Sequence, residues 1–239
     1  MTTTSSGERI RGSSDIPLTQ EGLASSHQLG IDLAAKGGLS EIHSSNLIRA
    51  LQTAQALARH THAPIVSATD QLHPWRLGHL EGQPAEEALP VAHQYMRDMP
   101  DVPIEGMGPA STKPGESFNQ FKQRVLAYVK PLLQRLQRDP NLKIGLVTHL
   151  RDRKLLEAWL AMGAPSNNEV DKASLERPPS TGTGSVDRIF HDPTDGWRMV
   201  PHDTKSTGAT PGGLYVIRHE QTAWNGGQPD PSPSTSNAS

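Results

Sequence analysis

Three short apolar runs end in residues able to do chemistry. LYVI (214–217) runs into Arg218 and His219, and GLVT (145–148) runs into His149. EIH (41–43) runs into Ser44 and Ser45, and the helix expected to start there carries Arg49 in its first turns. Two imidazoles, two guanidiniums and a helix start have one chemistry in common. A guanidinium fork matches phosphate oxygens. A helix N-terminus offers N–H groups and the favourable end of the dipole. A neutral imidazole can attack phosphorus or carry a proton. Each piece alone fits an ordinary role: a solvated Arg-His loop, a hydrogen-bonded structural His, a surface Arg. Convergence of all of them on one side of one sheet suits phosphoryl transfer through a phosphohistidine.

The elements that must position these residues are legible as a pattern. Thr19 caps EGLASSHQLGIDLAAKG, and Gly37-Gly38 stops that helix. Leu39–His43 is a strand, and Ser44-Ser45 is an N-cap for NLIRALQTAQALARH, whose Leu47, Leu51, Ala54 and Leu57 share a face. Pro64–Ala68 is a second strand. Residues 117–138 form a long amphipathic helix with Pro131 inside it. Lys143–Thr148 is a strand, and Leu150–Met162 is a helix. Residues 185–201 make two strands around Asp195-Gly196. Strands alternating with helices predict an α/β fold with a mainly parallel sheet, and ligands in such folds bind beyond the carboxyl ends of the strands.

Composition narrows the class. The chain has 239 residues with Gly 21 and Pro 20, and the excess falls in 100–115, 163–196 and 202–239. An ordinary core interrupted by loops fits this better than disorder. Net charge is −2, so no basic field favours nucleic acid. Cys is 0, which excludes disulfides and thiolate chemistry. No apolar run reaches the ~18 residues of a membrane span, and MTTTSSGERIRG lacks a signal-peptide pattern. The expectation is a soluble, cytoplasmic protein with no membrane or nucleic-acid partner. Residues 1–7 and 226–239 read as tails and 202–213 as an internal linker.

YVIRHEQTAWN (215–225) resembles the Arg-His-Gly-x-Thr signature of the histidine phosphatase, or phosphoglycerate mutase-like, superfamily. RIRGSSDIPLTQEG (9–22) is similar to the segment that normally follows it. HSSNLIRALQTA (43–54), LGHLEG (77–82), PGESF (114–118) and LVTH (146–149) resemble later landmarks. The resemblance implies a three-layer sandwich with the mainly parallel sheet flanked by helices. It also implies a circular permutation, because the Arg-His strand normally opens the chain and here closes it. Residues 202–213 would then join the old ends of a single domain spanning 8–225.

By resemblance His219 is the nucleophile, and Arg218, Arg49, His149 and Asn225 bind the phosphoryl group, with no cofactor and no metal. Three positions depart from the family. Glu220 stands where it has Gly. Pro74 stands where it usually has the Glu that protonates the leaving group. Of the substitutes Glu81, His73, His79 and Glu116, Glu81 is the carboxylate chosen. Leu150 stands where a Gly often follows the second His, and Arg151, Arg153 and Lys154 then open a helix, read as a solvated face that Asp152 partly compensates. Trp75 and Trp224 are read as packing residues that could border the pocket, and His60 and His62 as surface polarity. The expected activity is hydrolysis of small phosphate monoesters. A catalytically impaired phosphate-binding protein and a phosphoglycerate mutase-type enzyme are the alternatives, and the oligomeric state is left open.

Overall fold

The computed structural model describes residues 9–177, 182–204, 208–209 and 211–219. The expected tails, part of the linker, and Glu220, Trp224 and Asn225 lie outside the described residues. The strands are β1 (Glu41–Ser45), β2 (Ile65–Thr69), β3 (Lys143–Thr148), β4 (Val186–Asp192), β5 (Gly196–Pro201) and β6 (Gly213–Arg218). The helices are α1 (Gln20–Ala35), α2 (Ile48–Thr61), α3 (Ala85–Asp98), α4 (Phe118–Arg138), α5 (Leu150–Leu160) and α6 (Lys172–Glu176). One sheet has the order β2-β1-β3-β6-β4-β5. The pairs β2–β1, β1–β3 and β3–β6 are parallel, and β4 runs antiparallel to both β6 and β5.

The burial of each strand follows its place. β2, at the edge, alternates half-buried and exposed residues, whereas β3 is buried from Ile144 through Thr148. A central parallel strand is covered on both faces, so it reads as a continuous apolar run. Side chains alternate along it. Ile144, Leu146, Leu214 and Val216 join the core formed with α3, α4 and α5. Val147, Tyr215 and Ile217 join the core formed with α1 and α2. Helices therefore cover both faces, which makes the three layers.

Local signals fix several helix ends. The Thr19 hydroxyl accepts from the Gly22 N–H at 3.0 Å, as a cap should. Ser117 and Gln120 form a reciprocal capping box at the start of α4, which continues through Pro131. α2 departs from the sequence reading. Ser44 and Ser45 belong to β1, and the helix begins at Ile48 after Leu47, whose side chain caps nothing. Its cap comes from elsewhere in the chain: Asp15 Oδ1 accepts the Ile48 N–H at 2.6 Å. α3 and α6 lie where no helix was expected.

Candidate active site

One step of strand register builds the centre of the site. In the parallel pair β3–β6, Thr148 stands opposite Arg218. The next residues are His149 and His219, and their ring centroids lie 5.2 Å apart with the planes at 63°. The His219 N–H donates to the Thr148 carbonyl at 3.3 Å. Both side chains are buried. They follow Val147 and Ile217, so the alternation along the strands turns them toward the layer that contains α2 and Arg49. Arg218 is half-buried at the end of β6.

Arg49 is only 2% exposed. Its Nη1 donates to the Ser14 carbonyl at 2.5 Å and its Nη2 to the Gly12 carbonyl at 2.9 Å. Nε is buried and meets no acceptor among the described residues. Burial, helped by the charge of nearby Arg11, pulls its pKa down to about 9, and Asp15, Glu81 and Asp152 oppose the shift. A buried cation disfavoured in this way gains most from an added anion. Arg11 also bears on His149. It is a site residue that sequence reading missed, although it stands in the quoted segment RIRG.

Ser45, a helix cap by its place in the sequence, instead shares a 2.9 Å hydrogen bond through its hydroxyl with His149 Nε2. His149 Nδ1 is buried and has no partner among the described residues. Burial, with Arg49 and the other His residues nearby, holds its pKa well below the usual value, so its ring is neutral at pH 7. The result is a buried pair of imidazoles beside an anion-seeking guanidinium at the carboxyl edge of a parallel sheet.

Residues 1–177 match the histidine phosphatase superfamily (branch 1). The chain belongs to that superfamily. A probable phosphoglycerate mutase, GpmB, of Yersinia pestis (strain Pestoides F) is 29% identical over 197 residues, covering 71% of this chain and 88% of the relative. Among solved structures, Bacillus stearothermophilus YhfR is 25% identical with a TM-score of 0.59, covering 82% of this chain and 88% of that one. A mycobacterial glucosyl-3-phosphoglycerate phosphatase shares the fold at 20% identity with a TM-score of 0.58, covering 85% and 92%.

Two carboxylates that could serve this superfamily member as proton donors are engaged elsewhere. Glu81 is fully buried; its Oε2 accepts the Ser13 N–H at 3.0 Å and the Ser13 hydroxyl at 2.7 Å, and its Oε1 accepts the Leu77 N–H at 3.0 Å. It fastens the loop whose carbonyls hold Arg49. Gly12 makes room for it: φ is +46° there, and a Cβ would lie 2.1 Å from the Glu81 carboxyl carbon. Glu116 is held between Arg76 and Arg124. His79 bonds the Glu105 carbonyl at 2.9 Å. Trp75 is buried against Phe118 and Phe121, and His60 sits on His27.

The start of α5 is not a solvated face. Arg153 is buried in a fork on Asp187, with Nε at 2.5 Å from Oδ2 and Nη2 at 2.9 Å from Oδ1. Lys154 is buried and bonds the carbonyls of Leu175 and Arg177. The cations satisfy themselves against β4 and α6, partners that local sequence does not reveal. Asp152 is fully buried; its Oδ2 accepts the Thr148 hydroxyl at 2.9 Å, and Oδ1 has no partner among the described residues.

Burial raises the Asp152 pKa from 3.8 to about 8, outweighing Arg124 and nearby N–H groups. The folded chain thus holds this proton where the unfolded chain has lost it. Stability is expected to fall as pH rises from ~4 toward 8. Asp152→Asn should flatten that slope in denaturant titrations at pH 5 and pH 8; an unchanged slope would assign it to other groups.

Proposed function

We propose that this chain hydrolyses small phosphate monoesters through a phosphohistidine on His219. The observation that carries the reading is the buried His149–His219 pair set beside Arg49. In the first half-reaction an imidazole nitrogen of His219 bonds to phosphorus as the ester P–O bond breaks. In the second, water bonds to phosphorus, the P–N bond breaks, and its electron pair returns to His219. Phosphoryl transfer asks for positioning and for stabilisation of the equatorial oxygens. Arg49, Arg218, His149 and Asn225 supply these in this reading, and no cofactor takes part.

The reading includes one domain over 8–225 and a cytoplasmic setting. Among the described residues, no helix is long and apolar enough to cross a membrane. It also includes the circular permutation. β6 is the last strand among the described residues yet stands between β3 and β4 in the sheet, and the family match ends at residue 177, well before it.

The mutase reading is supported by the Yersinia relative, a probable phosphoglycerate mutase. Assay of 3-phosphoglycerate and an aryl phosphate separates the two. The expected result is inorganic phosphate from both. Isomerised phosphoglycerate without phosphate release would overturn the hydrolase assignment.

A further inference from the structure

Position 74, where the family usually has a glutamate, is proline, and the neighbouring side chain is a buried imidazole. His73 is 4% exposed. Its Nε2 lies 2.5 Å from Asn46 Oδ1. A carbonyl oxygen can only accept, so this bond places the ring proton on Nε2 and leaves Nδ1 with its lone pair. Nδ1 is buried and has no hydrogen-bond partner among the described residues. The charge of Arg49 bears on this ring, and the ring in turn bears on His149.

Its seat is rigid. The Thr148 hydroxyl, one residue before His149, lies 3.4 Å from the Leu72 carbonyl, and Arg124 Nη1 donates to the carbonyls of Gln71 and His73 at 2.8 and 3.0 Å. The loop carrying His73 is thus tied to the end of the strand that carries His149. Burial, together with the charges of Lys113, Arg124 and Arg49 and against that of Asp70, lowers its pKa to about 4, so the ring is neutral and able to accept a proton near pH 7.

We propose that His73 is the catalytic base of the dephosphorylation half-reaction, acting through Nδ1 where the family's glutamate is missing. This rests on the hydrolase reading above. Nδ1 takes a proton from the attacking water, the water oxygen bonds to phosphorus, and the P–N bond to His219 breaks with its electron pair returning to nitrogen. The proton left on Nδ1 passes to the oxygen of the next leaving group, which returns His73 to its starting state. The Asn46 carbonyl supports the cationic stage by accepting from Nε2.

His73→Gln keeps a side chain able to bond Asn46 but has no basic nitrogen. With 4-nitrophenyl phosphate under rapid quench, the variant should release a stoichiometric burst of nitrophenol. Turnover should then continue ~10²–10⁴-fold more slowly than in the parent, the usual worth of a positioned acid or base. The burst itself shows that the pocket is folded and the nucleophile active. The fall in parent dephosphorylation rate at acid pH, as Nδ1 is protonated, should be absent from the variant. Wild-type turnover in His73→Gln, or loss of its burst as well as its turnover, overturns the role of His73 alone. Failure to trap any phosphoenzyme in the parent overturns the hydrolase reading beneath it.

Discussion

Replacing His219 with Ala is expected to lower turnover of an activated aryl phosphate by at least ~10⁴-fold, the scale of losing a covalent nucleophile. The choice of substrate matters. A nitrophenolate leaves without a proton donor, so the assay reads nucleophilic attack rather than leaving-group protonation. The fold should survive, since the His219 side chain lies at the end of β6, beyond the ladder whose last described pair is Thr148–Arg218. Inorganic phosphate should still bind, because Arg49 and His149 remain. Steady-state rates and phosphate calorimetry on the same preparation check both halves. Turnover within tenfold of the parent would remove His219 from the chemistry.

Arg49→Ala is expected to cost ~10³-fold in kcat/KM and to weaken the fold as well. A guanidinium has five N–H donors. In Arg49 one Nη1 and one Nη2 donor are spent on the carbonyls of Ser14 and Gly12, which leaves Nε and two further N–H groups for the phosphoryl oxygens. Loss of a cationic clamp on a transferring phosphoryl group costs on the order of 10³-fold or more. The two abandoned carbonyls add a stability cost of about 1–3 kcal/mol each where water cannot reach them. Arg49→Lys separates the roles: it keeps the charge but cannot serve both carbonyls and the phosphoryl group, so it should recover part of the activity and little of the stability. Kinetics and denaturant unfolding on both variants test this. Full activity in Arg49→Lys would show that charge alone suffices.

The parts of the fold read correctly from sequence were those whose cause is local. Lys143–Thr148 is a bounded apolar run, and the strand has those limits. Thr19 marks the start of α1 in sequence and caps it in space. Errors arose where a distant residue decides the outcome. Ser44 and Ser45 look like a cap, but pairing with β3 and β2 draws them into β1, and Asp15, 33 residues away, caps α2 instead. α3 carries Pro90 inside it, which hides a helix in the sequence, while Ala88, Ala92 and Met96 are buried in the core. Arg153 and Lys154 look solvated because Asp187 and the carbonyls they bond are far along the chain.

The same division holds in the site. His219, His149 and Arg49 are legible because they follow strand ends and open a helix. Ser45 carries the local signal of a helix cap and Arg11 no signal of its own, and only the fold sets the Ser45 hydroxyl on His149 and the Arg11 charge near it. Glu81 is a carboxylate in a segment that resembles a family landmark, but the fold surrounds it with three N–H and O–H donors from Ser13 and Leu77.

The central claim is a phosphoryl group carried by one named histidine. The direct measurement is a single-turnover quench with a phosphate-labelled monoester, followed by peptide mapping under alkaline conditions that preserve phosphohistidine. The expected result is one label per chain on the peptide containing His219, absent from His219→Ala and chased off by water in the parent. Label on the peptide containing His149, or phosphate release with no labelled protein at any time point, would contradict the account.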